Sequence, residues 1–99
     1  MFGKLKEIMD AKAKAEDMKK ALESMTVEGE SYSREVVVTA TGSRKITSIH
    51  ISDEVIAKGN RPEIENLVKT AVNDALEKAD RLMAEEMRKV MPNIPGLGI

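Results

Sequence analysis

Val36-Val37-Val38-Thr39-Ala40-Thr41-Gly42-Ser43-Arg44-Lys45-Ile46-Thr47-Ser48-Ile49-His50-Ile51 decides the fold of this chain. Its first six residues are dominated by β-branched side chains, which suit a pleated surface. Its last six alternate apolar and polar with period two, as a strand with one covered face does. Gly42-Ser43-Arg44 between them supplies hairpin turn chemistry. Val36, Val38, Ile49 and Ile51 then fall on the inward side. Upstream, Thr26-Val27-Glu28-Gly29-Glu30-Ser31-Tyr32 reads as a weaker strand with Ser33-Arg34 as its turn, and Gly29 is expected at a bulge or turn with unusual backbone angles. Residues 26–52 therefore predict a three-stranded antiparallel meander, whose two open edges must be covered or paired.

On the N-terminal side the period changes to that of a helix. Ile8, Ala11, Ala15, Met18, Leu22 and Met25 recur at spacings of three and four, with no Gly or Pro between Lys4 and Met25. Residues 1–25 are expected to form about 35 Å of helix. Opposite charges stand four apart on its outer face, Asp10 with Lys14, Glu16 with Lys20 and Lys19 with Glu23, and each such pair adds a few tenths of a kcal/mol.

Beyond the meander, residues 53–61 read as a short helical turn and a loop. A second helix over 62–91 follows, with Pro62 in its first turn and Glu63 and Glu65 suiting its positive end. Ile64, Val68, Ala71, Ala75, Ala79, Leu82 and Val90 form its apolar line, widened by Leu67, Val72, Leu76, Met83 and Met87. Asn73 and Asp74 are poor helix formers at mid-helix, which points to hydrogen bonds with the sheet or across an interface. Pro92 stops the helix and leaves residues 92–99 as a flexible tail.

The fold class expected is α+β in one domain, 1–99, with a long helix at each end of a small antiparallel sheet. Two helices of this length overhang three strands, and one chain cannot bury both apolar stripes. A homodimer with projecting helices resolves this, and Val36, Val38, Ile49, Ile51, Val72, Leu76 and Met83 are its candidate interface residues.

Composition removes most chemistries. There is no Cys, which excludes disulfides, Cys-bound zinc and thiol nucleophiles, and a single histidine, His50, excludes a multi-His metal site. His50 lies on a strand between two isoleucines, the setting of a surface or packing residue. Glu16-Asp17, Asp53-Glu54 and Glu85-Glu86 are adjacent in sequence, and on a helix such neighbours diverge by about 100° and share no site. Gly42, Gly59 and Gly96 open no phosphate loop. The reading is a protein that is not an enzyme and has no cofactor, metal or small-molecule substrate. No apolar run approaches the roughly 20 residues of a membrane span, and no signal-peptide core is present, so a cytoplasmic address is expected.

The 16 basic and 17 acidic side chains leave a net charge of –1, far from a polycation. Lys4, Lys6, Lys12, Lys14, Lys19 and Lys20 nevertheless crowd the first helix, and Arg81, Arg88 and Lys89 the end of the second. Acids interleave with them, so the residues alone fit either a phosphate-binding surface or an ion-paired, solvated face. With aromatics at 2%, single-strand recognition by base stacking is disfavoured. Seven methionines keep a third reading open, a dimeric interaction module whose adaptable apolar stripes receive a partner helix or strand.

The order of several short stretches narrows this. Met1-Phe2-Gly3-Lys4 opens the chain, and Val27-Glu28-Gly29-Glu30-Ser31 follows the first helix. Glu65-Asn66-Leu67-Val68-Lys69-Thr70-Ala71-Val72-Asn73-Asp74-Ala75 comes later, and Pro92-Asn93-Ile94-Pro95-Gly96 is near the end. In this order the chain resembles the YbaB/EbfC family of bacterial nucleoid-associated proteins over essentially its whole length. The resemblance implies a tweezer-like homodimer and binding of double-stranded DNA that bends or compacts it, with roles in nucleoid organisation and gene regulation. It makes the nine helix cations the candidate DNA-binding residues. One departure stands out: where family members often continue Gly-Glu-Ser with a glycine-rich turn, this chain has Tyr32-Ser33-Arg34-Glu35.

Overall fold

A computed structural model describes residues 2–90 of the chain, and the side chains of residues 4–89. Helix α1 (Phe2–Ser24) leads into strand β1 (Thr26–Glu30), a 3-10 turn (Tyr32–Arg34) and strands β2 (Val36–Thr41) and β3 (Ile46–Ile51). Helices α2 (Asp53–Lys58) and α3 (Arg61–Val90) complete it. The expected stop at Pro92 and the tail 92–99 lie outside the described residues.

The sheet is the expected antiparallel meander in the order β1-β2-β3. Pairing Val36 with Ile51 and Val38 with Ile49 puts all four on one face, and a bulge next to Thr39 and Ala40 brings Ile46 opposite Ala40. Helix α3 lies across that face. Val36, Val38, Ala40, Ala71 and Ala75 are wholly buried, with Val27, Ile51, Leu67, Val68 and Val72 packed around them. A helix is 10–12 Å across and strands are about 4.8 Å apart, so α3 shields two strands. Here they are β1 and β2. Ile49 shares the inward face but remains 48% exposed, which corrects its expected burial.

Small residues set the closeness of this packing. Gly29 lies inside β1 against the Ala71–Ala75 turn, where a Cβ would stand 2.3 Å from the Ala71 carbonyl oxygen and 2.1 Å from the Ala75 nitrogen. Its φ is not positive. Gly29 is thus required for the absence of a side chain, not for unusual backbone angles.

The helical turn expected within residues 53–61 is a capped helix. The Ser52 hydroxyl accepts from the Val55 N–H, and Gly59 takes the left-handed conformation, φ 64°, that ends α2. Asn60 accepts from the Glu63 N–H, so α3 begins at Arg61, one residue before the expected start. In the β1–β2 connection, Ser33 and Arg34 both have positive φ, 60° and 56°. These are conformations that glycine adopts without penalty, and they fall where the related family often has glycine. The buried Ser31 hydroxyl accepts from the Val36 N–H and pins this turn.

Among the described residues, helix α1 touches the rest of the chain only at its C-terminal end. Leu22 is buried, Met18 and Met25 are half-buried, and Ile8, Ala11 and Ala15 stand exposed. At its root, the Gly42 N–H donates to the carbonyls of Leu22 and Met25. The radius of gyration, 18.7 Å, exceeds the roughly 13 Å of a compact chain this long, and the extents are 66 × 25 × 17 Å. The excess comes from helices that project past the sheet.

Candidate nucleic-acid interface

Lys4, Lys6, Lys12, Lys14, Lys19 and Lys20 are all exposed on α1. None of the three expected ion pairs on that helix forms, and among the described residues no salt bridge involves α1. The physical reason is that an exposed Lys–carboxylate pair gains little over water and loses side-chain entropy. The six ammonium groups are therefore uncommitted.

The α3 candidates differ. Arg81 is held by Glu77 at 2.7 Å and Lys89 by Glu86 at 3.0 Å, whereas Arg88 is exposed and forms no such pair. A phosphate would have to displace a carboxylate from Arg81 and Lys89 but not from the α1 lysines. Most of the readily available positive charge among the candidate residues is on α1.

The turn between β2 and β3 brings further cations to the same end of the sheet. Gly42 meets Leu22 of α1 and Leu82 of α3, so Arg44 and Lys45 flank the root of the projecting helices. Arg44 pairs with Asp80, and Lys45 is exposed without an ion pair among the described residues. The sequence reading places Arg44 in the turn and assigns Lys45 no role. Their adjacency to Gly42 was visible, but the docking of that glycine against both helices was not.

At the opposite side of α3, Asp74 and Lys78 reach the open edge of β1. The Asp74 carboxylate accepts from the Glu30 N–H at 3.0 Å and pairs with Lys78 at 3.1 Å, while the Lys78 ammonium donates to the Glu28 carbonyl at 2.9 Å. The Glu30 N–H, reinforced by Lys78 and Arg81, holds the Asp74 carboxyl below its ordinary value. Asp74 therefore does the work expected of a poor helix former at mid-helix: it ties α3 to the sheet. The outer edge of β3 has no such partner among the described residues.

The candidate interface residues separate by exposure. Val36 and Val38 are fully covered by α3 of their own chain, so their side chains belong to the core and cannot meet a second protomer. Ile51, Val72, Leu76 and Met83 are half-buried, and Ile49 is accessible together with Ile46, 36% exposed, and Ile56, 55% exposed. His50 faces away from α3, opposite Val37, and the described residues contain no cluster suited to a metal ion. No described helix is long and apolar enough to cross a membrane.

The profile of the YbaB/EbfC DNA-binding family matches residues 1–94 of this chain. The chain belongs to that family. Similar relatives include the nucleoid-associated protein TTE0040 of Caldanaerobacter subterraneus subsp. tengcongensis, 40% identical over 91% of this chain and 86% of its own. A nucleoid-associated protein of Beijerinckia indica is 36% identical over 91% of this chain and 89% of its own. Among solved structures, the uncharacterized protein HP0035 of Helicobacter pylori shares the fold, with a TM-score of 0.76 at 15% identity over 94% of this chain and 98% of that one. The α+β architecture of helix, three-stranded sheet and helix is thus that of the family member at hand and of a distant structural neighbour alike.

Proposed function

We propose that this chain is a nucleoid-associated protein that binds double-stranded DNA as a homodimer, chiefly through phosphates, and changes the path of the duplex. The observation that carries this reading is the set of six exposed, unpaired lysines along a helix that projects from the sheet, in a chain of a DNA-binding family. Phosphate contacts of this kind give affinity without sequence information. Two α1 helices in a dimer double the charge and can engage a duplex at two places, so that bending follows from holding both. The exposed Ile46 and Ile49 of β3, whose outer edge is unpaired among the described residues, support pairing of two protomers there. Such a protein works in the cytoplasm, at the nucleoid.

Fluorescence anisotropy of a labelled mixed-sequence duplex, titrated at several salt concentrations, tests the reading. Saturable binding whose log K falls linearly with log salt is expected, at about 0.9 per phosphate contacted. Replacing Lys12, Lys19 and Lys20 together by Gln should flatten the slope by roughly three units per protomer. Absence of binding even at low salt would remove the DNA function and favour the interaction module, in which charge placed at Met83 or Met87 abolishes capture of a protein partner.

A further inference from the structure

Helix α1 carries two apolar faces, and only one of them leads into the core. At about 100° per residue, Ile8, Ala11, Ala15 and Met18 stay within about 40° of the buried Leu22. Leu5 and Met9 do not. They lie about 100° and 140° round the helix from Leu22, one turn apart on a shared face. Leu5 is 58% and Met9 63% exposed. Burying the Leu22 seam leaves them in solvent.

Cations flank this pair. Lys12 falls about 20° to one side of Leu5 and Lys6 about 60° to the other side of Met9, while the acids of the same turns, Glu7 and Asp10, lie at least about 100° from both. Residues 4–14 hold four lysines against two acids, none of them in an ion pair among the described residues. Even with the exposed Ile8, the i,i+3 neighbour of Leu5, these side chains cover only a few hundred Å², well short of the 1,200 Å² or more of a stable protein interface. A narrow apolar strip with Lys12 on one side and Lys6 on the other is complementary to the floor of a groove whose two rims are phosphate.

The dimensions choose the groove. A helix is 10–12 Å across with its side chains; the major groove of B-DNA is about 12 Å wide and the minor about 6 Å. Neither Leu nor Met donates a hydrogen bond, and the base feature they can contact favourably in the major groove is the C5-methyl of thymine. We propose that α1 enters the major groove with Leu5 and Met9 on its floor, where they read thymine methyl groups while Lys6 and Lys12 hold the phosphates on either side. This inference rests on the DNA-binding reading and adds to it a source of A·T preference, which phosphate contacts cannot supply.

The test compares one short A·T-rich duplex with its twin in which every thymine is replaced by uracil, which removes the methyls and keeps pairing and charge. The wild-type protein is expected to bind the thymine duplex about fourfold more tightly for each methyl it buries. Leu5→Ala and Met9→Ala together should bind both duplexes alike, with an unchanged salt slope; alanine keeps the helix, which circular dichroism verifies. Met9→Leu should retain the preference. Equal wild-type affinity for the two duplexes overturns the proposal, as does a preference that survives in the double variant. Loss of the oligomer in that variant, measured by sedimentation, also overturns it by assigning the pair to a protein interface. Failure of wild-type protein to bind either duplex at low salt would instead refute the DNA-binding reading itself.

Discussion

Replacing Gly29 by alanine places a methyl carbon 2.1 Å from the Ala75 nitrogen, 2.3 Å from the Ala71 oxygen and 2.6 Å from the Ala75 Cα. Ordinary carbon contacts begin near 3.5 Å, so relief requires roughly 1 Å or more of separation. All three neighbours are backbone atoms of one helical turn, and no rotamer change can provide it. Helix α3 would have to lift from β1, loosening Ala71 and Ala75 from Val36 and Val38, which are all fully buried. Overpacking of a core by one carbon costs about 1–3 kcal/mol, and the upper end applies where only main chain can move. For a chain of this size, 3 kcal/mol lowers Tm by about 12–24 °C. Thermal unfolding by circular dichroism at one fixed protomer concentration measures this, since association would otherwise shift the midpoint. Gly59→Ala is the internal control. Its neighbourhood is empty and its φ is +64°, so it should cost only the left-handed penalty, about 1–2 kcal/mol. If Gly29→Ala destabilised less than Gly59→Ala, the close-approach argument would be wrong.

Three further outcomes follow from the same structure. Asp74→Ala removes the acceptor for the Glu30 N–H and the partner of Lys78, and should cost about 1.5–3 kcal/mol at neutral pH in urea unfolding. Because folding lowers the Asp74 pKa from 3.8, its ionised form contributes fully above that value, and the contribution fades as pH falls through the depressed one; wild type and variant should converge in acid, and a gap independent of pH would contradict the assignment. Ser33→Gly relieves a residue at φ 60° and should stabilise by about 0.5–1 kcal/mol after the added unfolded-state freedom is subtracted, raising Tm by a few degrees; a lower Tm would count against strain at this turn. Ile49→Lys alters a side chain that is 48% exposed in the protomer, so the fold should keep its circular dichroism spectrum while sedimentation shows the proposed dimer dissociating, and an intact dimer would remove β3 from the proposed interface.

What could be read from the sequence was what depends on neighbours along the chain. Val36-Val37-Val38 announces a strand by its β-branching, and the spacing of Ala71, Ala75 and Ala79 announces the buried face of α3. Asn73-Asp74 was conspicuous because both residues disfavour mid-helix, and Asp74 does reach the sheet. The misreadings concern relations between elements. Gly29 looks alike whether it serves a turn or a close approach, and only the position of α3 decides. The bulge at Thr39 and Ala40 belongs to two strands at once, so the side of the sheet taken by Ile46 could not be read from β3 alone. Ile49 carries the right pattern for burial, but the width of one helix leaves it uncovered. The α1 cations were found by composition. Whether their ion pairs form depends on solvent competition, which no spacing records.

The unequal edges of the sheet bear on how large an assembly can become. A sheet with two free edges can add copies head to tail without limit, which is the geometry of a fibre. Among the described residues, Asp74 and Lys78 take up the Glu30 N–H and the Glu28 carbonyl on the β1 edge, whereas no side chain takes up the outer row of β3. Any union through strand edges is then β3 with β3, antiparallel across a twofold axis, and it consumes the free edge of both participants. Association by this route stops at two, so the proposed dimer would form without the hazard of polymerising into filaments.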